Sequence, residues 1–239
     1  MASDSNSGIE SAISAQAFLD VVLPSLKAGD PAQLAQVVRT RWTNRQIASL
    51  LKHPQLDVRR VAAMALGFVG DLASVPSLVR ALRDADPQVN QMAEHSLWSV
   101  WFRSGKRQAL CSFKTGVKLL EEEKYLEAVM HLREAHRLDP DFAEALHQCA
   151  MAHFFVAQYD EALAACHEVI RRVPSHFGAI ACLGHCHMQL GHFEQALRSY
   201  QRALEINPHM ATIAAAVRRL NEGIVRQNES SGYFQLAGA

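Results

Sequence analysis

The chain has 239 residues, 49% of them hydrophobic and 20% charged, and its 24 basic and 24 acidic side chains balance to zero. That apolar content is too high for a disordered chain, and the balance argues against a polybasic nucleic-acid or membrane-surface protein. No apolar run reaches the ~18–20 residues of a membrane span, and 5 cysteines, an odd number, fit reduced thiols of a cytoplasmic protein better than a disulfide framework.

Residues 1–12 are polar, without the basic and apolar regions of a leader, so a disordered tail is expected there. A capping helix is expected over 14–28 in spite of Pro24, then a short helix pair over 31–52 that closes at His53-Pro54. The next helix should begin near Asp57 and end at Gly70-Asp71. Another should run from about Leu72 to Leu82, with Pro76 tolerated in its first turn, and a third should start near Pro87. A shift of 31 residues lays Ile47 on Leu78, Leu51 on Leu82, Val58 on Val89, Ala62 on Ala93 and Leu66 on Leu97. These pairs make 13–106 one repeat domain. Residues 102–108 are the candidate joint, and since no further helix of that kind follows Trp98 and Trp101, one continuous right-handed superhelix is expected.

From residue 107 onward the period is 34. It relates Pro140, Pro174 and Pro208; Ala128, Ala162 and Ala196; Tyr125, Tyr159 and Phe193; Gly116, Ala150 and Gly184; and Ala135, Val169 and Ala203. Each unit reads as two helices. Ile180, Leu183, Gly184 and His187 follow helical spacing up to Gly191, and Phe193, Ala196, Leu197, Tyr200, Ala203 and Leu204 follow it again. Small residues on a packing face let two backbones approach, so Gly184 and Ala196 should mark the crossing within the pair.

The string LGHCHMQLGHFEQALRSYQRALEINP resembles a tetratricopeptide repeat. The segment LDVRRVAAMALGFVGDLASVPSLVRALRDADPQVNQMAEHSLWSV resembles HEAT-like repeats of the kind found in phycobilin lyases. The resemblance implies an all-α tandem solenoid, an α-α superhelix. A HEAT-like domain (13–106) would be joined to a tetratricopeptide domain (107–226) with repeats at about 109–140, 141–174 and 175–208. A capping helix would follow at 211–226 and a flexible tail at 227–239. It also implies that Arg59 belongs to the Asp/Arg pairs that tie adjacent HEAT repeats.

The residues offer little catalytic chemistry. His167-Glu168 is a single His-Glu step, and the cysteines lie on predicted helices without a loop to expose a nucleophile. No phosphate-binding glycine motif is present. No enzyme activity and no cofactor are therefore expected. Cys149, His153, Cys186 and His187 could converge on a zinc ion, and a helical metal-binding or phycobilin-lyase-like module is the alternative function. Free cysteine is as readily a small buried hydrophobe. Neither half of the chain holds a strong basic field, which excludes a nucleic-acid partner.

Binding to another protein remains. In arrays of this resemblance the first helix of each repeat lines a concave groove. The register puts Leu110, Phe113, Val117 and Leu120 there from the first repeat, Glu144, His147, Met151 and Phe154 from the second, and Gly178, Ala181, His185 and Met188 from the third. Such a stripe suits an apolar or amphipathic segment of a partner. It could instead pack on the chain's own Tyr233-Phe234, and the open end of the first array leaves self-association possible. If His147 and His185 face each other, binding should weaken as pH falls through about 6.5.

Overall fold

The computed structural model describes residues 13–236, with side chains as far as residue 223, so the expected tail at 1–12 and the side chains of Tyr233 and Phe234 lie outside the described residues. The chain divides into two compact units, Met1–Arg103 and Ser104–Ala239. Among the described residues the regular structure is helical throughout.

The first unit starts with α1 (Ala15–Lys27), whose N-terminus is capped by the Ser14 hydroxyl accepting from the Ala17 N–H at 3.3 Å. Pro24 sits in its last turn without ending it. In α2 (Pro31–Arg41) the Asp30 carboxylate accepts from the N–H groups of Ala32 and Gln33, both at 3.0 Å, and Pro31 fills the first position, where no donor is needed. A Thr43/Gln46 capping box opens α3 (Asn44–Ser49), which a 3₁₀ turn over Leu50–Lys52 continues. Then follow α4 (Leu56–Val69), a 3₁₀ turn at Leu72–Ser74, α5 (Val75–Ala81) and α6 (Pro87–Arg103). Val58, Ala62 and Leu66 on α4 and their 31-residue counterparts Val89, Ala93 and Leu97 on α6 are all fully buried. The repeat in the sequence is thus the repeat of the core.

Two bidentate ion pairs tie these repeats. Arg59 reaches Asp84 at 2.8 and 3.0 Å, and Arg60 reaches Asp86 at 3.0 and 2.7 Å. Asp86 also accepts from the N–H groups of Gln88 and Val89, both at 3.1 Å, so one carboxylate opens α6 and joins it to α4. Arg60 beside it, outweighing burial, holds its carboxyl below the usual range.

The second unit stacks helix pairs: α7 (Arg107–Glu121) on α8 (Tyr125–Leu138), α9 (Ala143–Phe155) on α10 (Tyr159–Arg172), and α11 (Phe177–Gln189) on α12 (Phe193–Ile206). Helix α13 (Ala211–Leu236) packs on α12 and continues beyond residue 226, into the stretch expected as a tail. Each pair crosses at a small residue. A Cβ on Gly116 would come within 2.6 Å of the Leu132 side chain, and one on Gly184 would enter the Tyr200 ring. The register puts Ala150 opposite Cys166, both fully buried, so the larger small residue meets the smallest of the three facing side chains.

The turn inside each pair also repeats. Glu123, Ala157 and Gly191, 34 apart, take φ of 59°, 59° and 74°. The next residue donates back five positions in each case: Lys124 to the Leu119 carbonyl (2.8 Å), Gln158 to His153 (2.9 Å) and His192 to His187 (2.8 Å). This is the Schellman closure, and only its third copy has the glycine that suits it. Replacing Ala157 by glycine should therefore stabilise the protein by about 1 kcal/mol, while Gly191→Ala should cost a similar amount. Gly184→Ala should cost about 1–3 kcal/mol, because the Tyr200 ring must leave its place. Urea unfolding of the three variants measures these differences.

Candidate functional site

At a shift of 34 the expected groove forms four rows: Leu110/Glu144/Gly178, Phe113/His147/Ala181, Val117/Met151/His185 and Leu120/Phe154/Met188. The structure separates them. Phe113 (2% exposed), Glu144 (0%), His147 (5%) and Ala181 (5%) are buried, which corrects their placement on an open groove. All six residues of the last two rows keep partial access to solvent. The residue just before the next repeat's first helix is the cause. Phe142 covers Phe113 with ring centroids 4.6 Å apart, and 34 residues on His176 covers His147, also at 4.6 Å.

The first joint between repeats is thus an aromatic pair and the second a polar cluster. Glu144 accepts from His147 Nδ1 at 3.1 Å, from the Gln148 amide at 2.6 Å and, across the joint, from His176 Nε2 at 2.9 Å. Burial raises the Glu144 carboxyl, but the His147 charge and the hydrogen bonds from both histidines reverse this and hold it well below the usual range. His176 is pushed down, chiefly by burial and further by the charge of His147, against the opposing pull of Glu144. It also begins α11: its Nδ1 accepts the Ala179 N–H at 3.1 Å. Sequence reasoning missed His176. The signal was its register, because it falls 34 residues after Phe142, where a histidine needs a buried acceptor.

Glu144, His147 and His176 form the one group among the described residues whose ligand atoms lie within 4.8 Å of one another. Their hydrogen bonding runs against a metal role. With Nδ1 accepting from Ala179, the His176 proton sits on Nε2, the atom a cation would need. The cysteine–histidine set expected from the sequence is not drawn into such a group. His153 Nδ1 lies 2.6 Å from the Gln158 amide oxygen, and the His187 ring lies 5.9 Å from that of His192. Cys182 interacts with Cys166 and Cys186 in the core: its bond to Cys166 and burial push its thiol up against the opposing bond to Cys186, while the bond to Cys182 and burial push Cys186 up. Burial, against the opposing pull of Arg133, takes Cys149 up to about 11. Thiols held protonated are poor ligands and poor nucleophiles.

The accessible rows rest on the core of the second and third repeats. Met151, Phe154 and Met188 pack against it, with Phe154 6.1 Å from the His185 ring and 5.7 Å from that of Tyr159. His185 Nδ1 lies 2.8 Å from the Tyr200 hydroxyl. Burial pushes His185 down and Tyr200 up to about 12. His147 and His185 therefore each have a separate partner, and the expected facing pair does not form.

Comparison with known proteins agrees with both repeat types. Residues 19–101 match the family model for HEAT repeats, and residues 179–210 that for the tetratricopeptide repeat. The chain is similar to a TPR repeat-containing protein of Rhizobium etli, 26% identical over 140 residues that span 59% of this chain and 69% of the relative. Among solved structures it is similar to the Sgt2 TPR domain from Aspergillus fumigatus, with TM-score 0.50, 15% identity, and coverage of 52% of this chain and 84% of that one. It is also similar to the first TPR of Spaghetti (RPAP3) bound to an HSP90 peptide, with TM-score 0.49, 23% identity, and coverage of 51% and 97%. At 15% identity the Sgt2 domain shows the fold alone.

The polar joint has a testable cost. Glu144→Leu alone should destabilise the protein by about 3 kcal/mol, because it removes the buried carboxylate that two buried histidines share. Glu144→Leu, His147→Phe and His176→Phe together copy the first joint and should restore at least wild-type stability. A depressed His176 binds its proton less readily when folded than when unfolded. Its contribution is complete above about pH 6.5 and is lost as pH falls through the folded value. Urea unfolding at about pH 7.5 and about pH 5 should thus show a smaller loss in the triple variant than in wild type. His136, His185 and His187, also pushed down by burial, are common to both proteins and cancel. Equal losses would place the acid-sensitive element elsewhere.

Proposed function

We propose that the protein is an interaction adaptor whose second unit receives an apolar or amphipathic segment of another protein along Val117, Leu120, Met151, Phe154, His185 and Met188. The observation that carries this reading is the division of the four rows. Six apolar or aromatic positions on α7, α9 and α11 keep partial solvent access in register through both of the last two rows, while in the first two rows Phe113, Glu144, His147 and Ala181 are taken up by packing. Methionine and phenylalanine in such a stripe adapt to a partner's side chains and gain from leaving water. The five free cysteines support a reducing, cytoplasmic setting. Among the described residues no helix is long and apolar enough to cross a membrane.

The test is capture of partners from the native host by wild type and by a Met151→Glu/Met188→Glu variant. Phe113, buried against Phe142, is unsuitable for this purpose because a charge there would disrupt the fold. With unchanged circular dichroism, the variant should lose the captured partners, and the affinity for each should fall by roughly tenfold or more. The same partners at the same affinity would place the binding surface elsewhere.

A further inference from the structure

A second groove lies wholly within the first unit, independent of the one above. Helices α4 and α6 approach closely where Gly67 meets Ser96: a Cβ on Gly67 would stand 2.7 Å from the Ser96 hydroxyl, which donates to the Ala63 carbonyl at 2.7 Å. This contact forms the floor of an open trough of about 500 Å³. Half-buried Met64, Phe68 and Met92 supply its apolar surface, and Gln91, His95 and Ser99 add polar groups along α6. The volume lies within the range of built ligand sites. From Gln91 to Arg103 the α6 wall runs about 18 Å, enough for about three turns of a partner helix.

The charge at one end is one-sided. Arg103 donates to the Gly67 carbonyl at 2.6 Å and the Gly70 carbonyl at 3.2 Å, and Arg39 donates to the Phe68 carbonyl at 3.4 Å. Both guanidinium groups therefore sit at the carbonyl end of α4, where a cation is favoured. Burial pushes Arg103 down, and the charge of Arg39 adds to this. Among the described residues no acidic side chain lines the trough. Helix carbonyls occupy two of the five donors of Arg103, and among the described residues no carboxylate offsets its charge.

We propose that the α4–α6 trough docks an acidic amphipathic helix of a partner protein, its apolar face on Met64, Phe68 and Met92 and a carboxylate on Arg103. The polar wall favours a peptide over an alkyl chain, since an alkyl chain would leave Gln91, His95 and Ser99 without hydrogen-bond partners. With the groove of the second unit, this gives an adaptor with two separate binding surfaces.

The test is selection of a phage-displayed random peptide library on the full chain, with Met92→Glu and Arg103→Gln chains as counter-targets. Peptides specific to wild type should carry leucine, methionine or phenylalanine at helical spacing together with glutamate or aspartate. A synthetic peptide of this kind should bind roughly tenfold more weakly to each variant, and about as weakly to wild type once its acidic residue is replaced by lysine. The peptide substitution keeps the test valid if Arg103→Gln loosens α4. Enrichment of peptides without acidic residues, equal binding to Met92→Glu, or displacement of the peptide by oleate vesicles would overturn the proposal. Both variants leave the second unit intact, so capture through that unit can succeed or fail independently.

Discussion

The second unit depends on how closely two helices can cross. Gly116 against Leu132, Ala150 opposite Cys166 and Gly184 against Tyr200 are three solutions to one volume constraint, in which the sum of the facing side chains is limited and its division is free. A close crossing brings the backbones together and allows the Schellman turn to connect the pair without a long loop. The short turns explain why 12 glycines and 8 prolines suffice for a chain of 239 residues. They also explain much of the cysteine content, because Cys166, Cys182 and Cys186 serve as small buried groups at this crossing.

The joints between repeats follow a different rule. The chain must bring the start of each first helix over the one before it, and the covering side chain is Phe142 at one joint and His176 at the next. An aromatic cover needs only an apolar face. A histidine cover needs an acceptor, and Glu144 supplies it, bringing His147 and Gln148 into the same network. The joints bury Phe113, Glu144, His147 and Ala181 out of the first two rows of the stripe. The C-terminal half of each first helix keeps partial access to solvent, and its apolar character is independent of the chemistry at the joint.

In the first unit, side-chain charges perform the work that aromatic and histidine contacts do in the second. Arg59 and Arg60 each hold an aspartate 25 or 26 residues later, and Asp86 orders the first turn of α6 as well. Arg39 and Arg103, by contrast, hold only carbonyl oxygens in the bonds that position them. A cation paired to a carboxylate is structural in the plain sense; one held by helix carbonyls still carries its charge to whatever approaches.

The periods of 31 and 34 were legible because core positions recur with them. Val58/Val89, Ala62/Ala93 and Leu66/Leu97 are fully buried, and the small residues at Gly116, Ala150 and Gly184 mark the crossings. The helix end at Gly191 was legible because local backbone chemistry decides it, whereas Asp57 lies inside the first turn of α4 and the cap position belongs to Gln55. The pairing of Arg59 was legible as a type of contact, while its partner, Asp84, was not, since nothing local distinguishes it from Asp57. The sequence by itself therefore determined the helices, their order and the repeat, all of which rest on spacing along one chain. Only the tertiary structure decided which members of an equivalent row are covered, that Glu144 and His176 meet across 32 residues, and that Gly67 and Ser96 leave a trough beside them. Those outcomes depend on side-chain volume and hydrogen-bond direction between helices, and spacing along the chain encodes neither.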